Sequence, residues 1–260
     1  MITNTKALVV YQWVFFAYML TMNALANGLP LNGYTTADVS AMYPNLFVPA
    51  GFTFSIWGII YLLLLGYMVY STSLLWKGNT GDSLLQPVTY IANYFTLTCA
   101  LNGTWIITWH LLQIELSLLF MLALLVTLLV IYRKLQQVRE QVNGMQYLLL
   151  YVPFVVYLGW ISVATIANTT ALLVHYNWNG FGVGAVMWSC IMITVAALLG
   201  AYFSIFRKDI AYTLVVAWAL YGISFSQQAH SEIVTIAYGG ITLCLVMVVI
   251  ALIRKRALAR

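Results

Sequence analysis

Seven stretches of this chain run for 16 residues or more without an Asp, Glu, Lys or Arg, and an eighth carries only one Glu near its start. A helix that crosses a bilayer needs about 20 mostly apolar residues. A soluble core cannot hide that many apolar side chains from water in a chain of this length. The composition agrees: of 260 residues, 63% are hydrophobic and 7% charged, whereas a soluble domain carries about a quarter charged residues. An ordinary soluble enzyme, a disordered chain and a secreted disulfide scaffold are therefore excluded. Cys99, Cys190 and Cys244 all fall inside apolar stretches, where reduced packing residues are expected rather than a disulfide or metal framework. The fold class expected is all-α, a polytopic membrane protein of about eight transmembrane helices.

Apolar windows place the spans at about 8–26, 51–76, 90–112, 114–132, 147–173, 182–206, 210–225 and 233–253. The third and fourth are joined so tightly that they must form an antiparallel hairpin. The seventh is the shortest, and a tilted or re-entrant path would suit it. Ala24-Leu25-Ala26 resembles a signal-peptide cleavage site. The first span is long for a signal h-region, however, and holds Gln12, Trp13 and Asn23, so it is expected to be retained.

The basic residues orient these spans. Lys6, Lys77, Arg133, Lys134, Arg139, Arg207, Lys208, Arg254, Lys255, Arg256 and Arg260 all fall on one side of an eight-span layout, and none on the other. By the positive-inside rule both termini are cytoplasmic, and a bacterial inner membrane is the expected location. The net charge of +5 then reflects loop anchors facing anionic lipid, and no nucleic-acid binding is expected.

Polar chemistry at membrane depth is the functional signal in such a protein. No span carries a convincing buried charge. Asp82 and Asp209 fall in basic-side loops, and His110, His175 and His230 fall in or beside loops on the opposite side, where solvated loop ends are expected. Asparagine and tryptophan are what the spans do hold. Asn102, Trp105 and Trp109 are spaced i, i+3, i+7; Trp160, Ala164 and Asn168 are spaced i, i+4, i+8; Trp57 and Tyr61 are spaced i, i+4. Each set shares one helical face, and the 1.5 Å rise per residue puts the three faces at similar depth. Helix packing through Asn explains any one stripe. Three together describe an aromatic box with a few amides, which suits a flat, largely apolar ligand.

Three motifs then carry a resemblance. They are Pro49-Ala-Gly-Phe-Thr-Phe54-Ser-Ile-Trp57-Gly-Ile-Ile-Tyr61, Leu101-Asn102-Gly-Thr-Trp105, and Trp160-Ile-Ser-Val-Ala164-Thr165-Ile-Ala-Asn168. In order and placement they resemble helices two, three and five of the tryptophan-rich sensory proteins, bacterial relatives of the mitochondrial translocator protein once called the peripheral benzodiazepine receptor. The resemblance covers residues 1 to about 175. It implies a five-helix core over 1–178, with three further helices over 179–260, and a pocket for porphyrins and other hydrophobic ligands under the loop between helices one and two. The residues it implies for ligand binding are Pro49, Phe54, Trp57, Tyr61, Asn102, Trp105, Trp160, Ala164, Thr165 and Asn168, and the stripe argument adds Trp109. Only one proline stands where the family has two. The end of helix five lacks the basic residue of the family's sterol-linked motif, although Leu129, Tyr132 and Lys134 match it loosely.

The function expected is that of a membrane receptor or carrier for a lipophilic, planar molecule such as a tetrapyrrole. No obligatory cofactor, metal or catalytic constellation is expected, and a homodimer is compatible with this reading. The alternatives are a membrane enzyme that modifies or degrades such a ligand, a transporter of small apolar molecules, and a scaffold whose Trp/Asn faces only join helices.

Overall fold

The computed structural model describes residues 2, 4–29, 31–79 and 81–258, with side chains through Arg254. The side chains of Lys255 and Arg256, and Arg260 altogether, lie outside the described residues. Among the described residues there is no strand and there are eight long helices: α1 Thr5–Gly28, α2 Ile56–Lys77, α3 Leu85–His110, α4 Ile114–Val138, α5 Val152–His175, α6 Ala185–Phe206, α7 Ile210–Ser226 and α8 Ser231–Leu258. Six helical segments are long and apolar enough to cross a membrane, and α7 is apolar but only 17 residues long. The chain is an all-α integral membrane protein.

The polar helix is α3, and its hydroxyls explain how it can still lie in lipid. Thr89, Thr96 and Thr104 each donate to the carbonyl four residues back, at 2.7, 3.0 and 2.9 Å. A hydroxyl paired in this way exposes no unsatisfied polar group to the hydrocarbon.

Helix boundaries depart from the apolar windows where polar residues continue a buried face. The third helix begins at Leu85, not Tyr90, and ends at His110, because Leu112 turns into the left-handed region at φ 58°. The fourth does not stop at Tyr132 but runs to Val138, because Leu128, Ile131, Leu135 and Val138 keep one buried face going. Arg133 and Lys134, expected in a loop, therefore ride on its last turns. In the fifth, a π-turn over Tyr147–Tyr151 precedes Pro153, with the Val152 N–H reaching back five residues to the Tyr147 carbonyl. Proline has no N–H for the carbonyl four residues back and clashes with it, so the wider turn absorbs the mismatch.

Several basic residues sit over aromatic rings within about 6 Å, the cation–π range. Lys6 lies 5.7 Å from the Trp76 ring, Lys134 5.6 Å from Tyr90, Arg139 5.0 Å from Tyr151 and Arg207 5.8 Å from Tyr202. Tyr132 is buried and its hydroxyl is 2.6 Å from Gln136 Nε2. It therefore shares no exposed face with Leu129 and Lys134, against the loose sterol-type pattern.

The chain divides into two compact units, Met1–Val39 with Ile56–Leu158, and Ser40–Ser55 with Gly159–Arg260. The core of the first unit is aromatic. Tyr67 meets Phe95 at 5.0 Å and Phe154 at 4.8 Å, and Phe16 meets Phe95 at 6.0 Å. Tyr67, the one polar member, accepts a hydrogen bond from Gln12 Nε2 at 3.3 Å. Helix α1 approaches α3 closely because Gly103 leaves room for the Tyr18 ring.

In the second unit, small residues let helices touch. Gly200 faces Cys244 and Val216, Gly240 faces Leu220 and Ala197, and Gly159 faces Val215 and the Tyr212 carbonyl. Such contacts replace the hydrophobic effect, which gives no drive between helices in lipid. Of the adjacent glycines Gly239 and Gly240 in α8, only Gly240 makes this approach; Gly239 faces open space. Phe203 and Tyr212 stack at 3.7 Å, and the Thr213 hydroxyl donates to the Gly200 carbonyl at 2.7 Å.

A Cβ at position 103 collides with the edge of the Tyr18 ring. Gly103→Val is therefore expected to destabilise the protein by about 1–3 kcal/mol, the usual cost of overpacking. Thermal unfolding in detergent measures this, and the loss should shrink in a Tyr18→Leu background.

Candidate functional site

In the first unit, the stripes on α2 and α3 meet. Trp57 and Tyr61 stack with ring centroids 5.5 Å apart, Trp57 lies 6.1 Å from Trp105, and Trp105 stacks on Trp109 at 6.2 Å. The result is a ladder of four rings, Tyr61–Trp57–Trp105–Trp109. Tyr157 of α5 stands edge-on to Trp57 at 5.9 Å.

A chain of hydrogen bonds runs beside the ladder. Asn23 Nδ2 donates to Asn102 Oδ1 at 2.7 Å, and Asn102 Nδ2 donates to the Tyr157 hydroxyl at 2.9 Å. Asn102 is completely buried, so both ends of its amide are matched by polar groups from other helices. Spacing on α3 picks out Asn102, but its partners Asn23 and Tyr157 escape that reading because spacing along one helix does not say which residue of another helix it meets. The Tyr61 hydroxyl differs: it is buried with no hydrogen-bond partner among the described residues.

One end of the ladder is tied to the start of the α1–α2 loop. Trp109 Nε1 donates to the Thr36 carbonyl at 3.4 Å. His110, expected at a solvated loop end, is instead fully buried. Its Nδ1 donates to the Leu31 carbonyl at 3.2 Å, which leaves Nε2 of the neutral ring to accept from the Thr36 hydroxyl at 3.2 Å. Asn32 Nδ2 donates to the His110 carbonyl at 3.1 Å. The short helix Thr36–Ala41 begins beside this contact. There the hydroxyl and N–H of Thr35 hold the exposed Asp38 carboxyl below the usual carboxylate range.

The second unit holds the other implied residues. Phe54 meets Trp160 edge-on at 6.0 Å. Pro49, Trp160 and Asn168 are buried, while Ala164 and Thr165 are half-buried. The Thr165 hydroxyl bonds the Ile161 carbonyl of its own helix at 2.7 Å.

The proline/aromatic segment has a further partner in this unit. Residues Gly51–Ser55 form a 3₁₀ turn on α7. The Ala50 N–H donates to the Gly222 carbonyl at 3.0 Å, and Trp218 Nε1 donates to the Thr53 carbonyl at 3.0 Å. Phe52 packs among Trp218, Tyr221 and Phe225 at 5.5, 5.9 and 5.3 Å. A Cβ on Gly222 would land on the Thr53 side chain, so only glycine allows the approach. Sequence reasoning missed this platform, although Trp218, Tyr221, Gly222 and Phe225 follow the i, i+3, i+4, i+7 spacing of a shared face. Asp209 lies in the loop before α7, as expected, and is buried there, where the helix dipole favours a negative charge.

Charge-poor spanning helices with amide and aromatic clusters inside them define an integral membrane protein of a lipid bilayer, whose polar chemistry is turned inward. The family described as TSPO-like protein matches residues 9–252, and the chain belongs to that family. The match runs through α6, α7 and most of α8 as well as the first five helices. No curated protein and no solved structure matches the chain.

Two outcomes are expected. Asn102→Leu leaves Asn23 and Tyr157 without their partner, and should lower stability by about 0.6–2 kcal/mol, the range for interhelical hydrogen bonds in membranes; chemical or thermal unfolding in detergent reads it. Gly222→Val should release residues 49–55 from α7, seen as faster limited proteolysis between 40 and 55 with the helix content unchanged.

Proposed function

We propose that this chain binds a flat, largely apolar molecule of the porphyrin kind, as a membrane receptor or carrier and not as a catalyst, with both termini in the cytoplasm and a bacterial inner membrane as its location. The observation that carries this reading is the ring ladder of the first unit, which includes a tyrosine whose buried hydroxyl has no hydrogen-bond partner among the described residues. A buried hydroxyl left unpaired costs about 1–3 kcal/mol, and an acceptor on a bound ligand would remove that cost. Trp57 and Trp105 supply the faces. A planar ring held between two aromatic faces needs them about 7 Å apart, twice the usual carbon contact distance. Their centroids stand 6.1 Å apart with the planes tilted by 32°, so the two rings must part and level to admit a sheet-like ligand. The Asn23–Asn102–Tyr157 chain would keep the helices in register while the rings move. Pro49, Phe54, Trp160, Ala164, Thr165 and Asn168 enter this reading through the family resemblance.

The test is a titration of the detergent-solubilised protein with protoporphyrin, followed by quenching of tryptophan fluorescence. Trp57→Ala and Trp105→Ala are expected to weaken binding about tenfold or more, since aromatic contacts are worth about 0.5–1.5 kcal/mol beyond their buried area. Tyr61→Phe keeps the stacking and loses one hydrogen bond, for a loss of about fivefold. Trp178→Ala, outside the ladder, should leave binding unchanged. Saturation that none of the ladder variants alters would remove this site, and a ligand recovered chemically changed after incubation in light or dark would replace binding with catalysis.

A further inference from the structure

At the end of α3 and α4 that carries basic residues lies a cleft of about 450 Å³ lined by Tyr90, Tyr94, Val130, Arg133, Lys134 and Gln137. Both walls follow from helical spacing. Tyr90 and Tyr94 stand one turn apart on α3, and Val130, Arg133, Lys134 and Gln137 are spaced i, i+3, i+4, i+7 on α4, so each set shares a face. The two phenol rings lie 4.8 Å apart. Lys134 Nζ sits 5.6 Å from the Tyr90 ring and donates to Gln137 Oε1 at 3.3 Å. No Asp or Glu lines the cleft. It therefore offers two positive charges, two phenols and an amide, with no negative charge to cancel them.

That chemistry fits a phosphate. The arginine fork can grip two of its oxygens and lysine adds a point charge. The surroundings choose the source of the phosphate. Exposed Leu122, Val126 and Leu129 run along α4 at spacings of four and three residues and lead up to Arg133, so an apolar stripe ends at a cationic cleft. A molecule that satisfies both has acyl chains and an anionic phosphate. Basic pockets between membrane helices hold lipid head groups by the same logic. We propose that this cleft is a specific site for an anionic bilayer lipid, with its phosphate between Arg133, Lys134 and the tyrosines, and its chains along the α4 stripe.

The experiment is native mass spectrometry of the full-length protein in detergent, with phosphatidylglycerol or phosphatidylcholine added at equal concentration. The wild type should retain phosphatidylglycerol in preference to phosphatidylcholine. The Arg133→Gln/Lys134→Gln pair should weaken that retention about thirty-fold, on the usual strength of two cations near a lipid surface. Arg133→Lys, which keeps the charge and loses the fork, should fall between, and Lys6→Gln should match the wild type. Circular dichroism of each lipid-free variant confirms that it is folded. Equal retention by the double variant would overturn the site. An equal loss in Lys6→Gln would reduce the effect to general charge attraction. Displacement of the lipid by millimolar inorganic phosphate would overturn the lipid as its occupant.

Discussion

In lipid, a polar group that finds no partner within the protein finds none at all. The contact between Asn23 and Asn102 is where that constraint acts most directly on this chain. Two amides from different helices meet at 2.7 Å, and the second passes the interaction on to Tyr157. Hydrocarbon gives no drive for one helix to associate with another, so directional contacts of this kind set the register of α1, α3 and the first part of α5. Trp57 can then lie against both Trp105 and Tyr157, because the helices carrying those rings are already fixed. The threonines of α3 obey the same rule by bonding backward along their own helix.

The second unit satisfies the constraint differently. Its helices approach through Gly159, Gly200 and Gly240, where backbone and side chain come within contact distance. Polar bonds there reach mainly to backbone carbonyls, as Thr213 does to Gly200 and Trp218 to Thr53. Close packing gives many small dispersion contacts in place of one strong bond.

Much of this was legible in the residues themselves. Apolar runs marked where the helices lie, and the i, i+3, i+7 spacing of Asn102, Trp105 and Trp109 identified a face that does meet Trp57. What could not be read was which solitary residue answers each stripe. Asn23 meets Asn102 across 79 positions, and Trp218 reaches Thr53 across 165. His110 looked like a loop-end residue because it closes an apolar run; its burial depends on the Leu31–Thr36 loop folding back over it. The last turns of α4 were obscured for a different reason. Arg133 and Lys134 end the hydropathy signal, yet helix propensity and the buried Leu135 and Val138 carry the helix onward.

The seating of Pro49–Ser55 on α7 bears on how this chain can be shortened. A segment from the first fifth of the sequence rests its backbone on Gly222 and its Phe52 ring on Trp218 and Phe225. Cutting after the fifth helix would leave Phe52 and the Thr53 carbonyl without the surface that covers them. The three C-terminal helices are thus no detachable appendage. An excised five-helix core would be a different object, with an unfinished loop where Phe52 loses its platform.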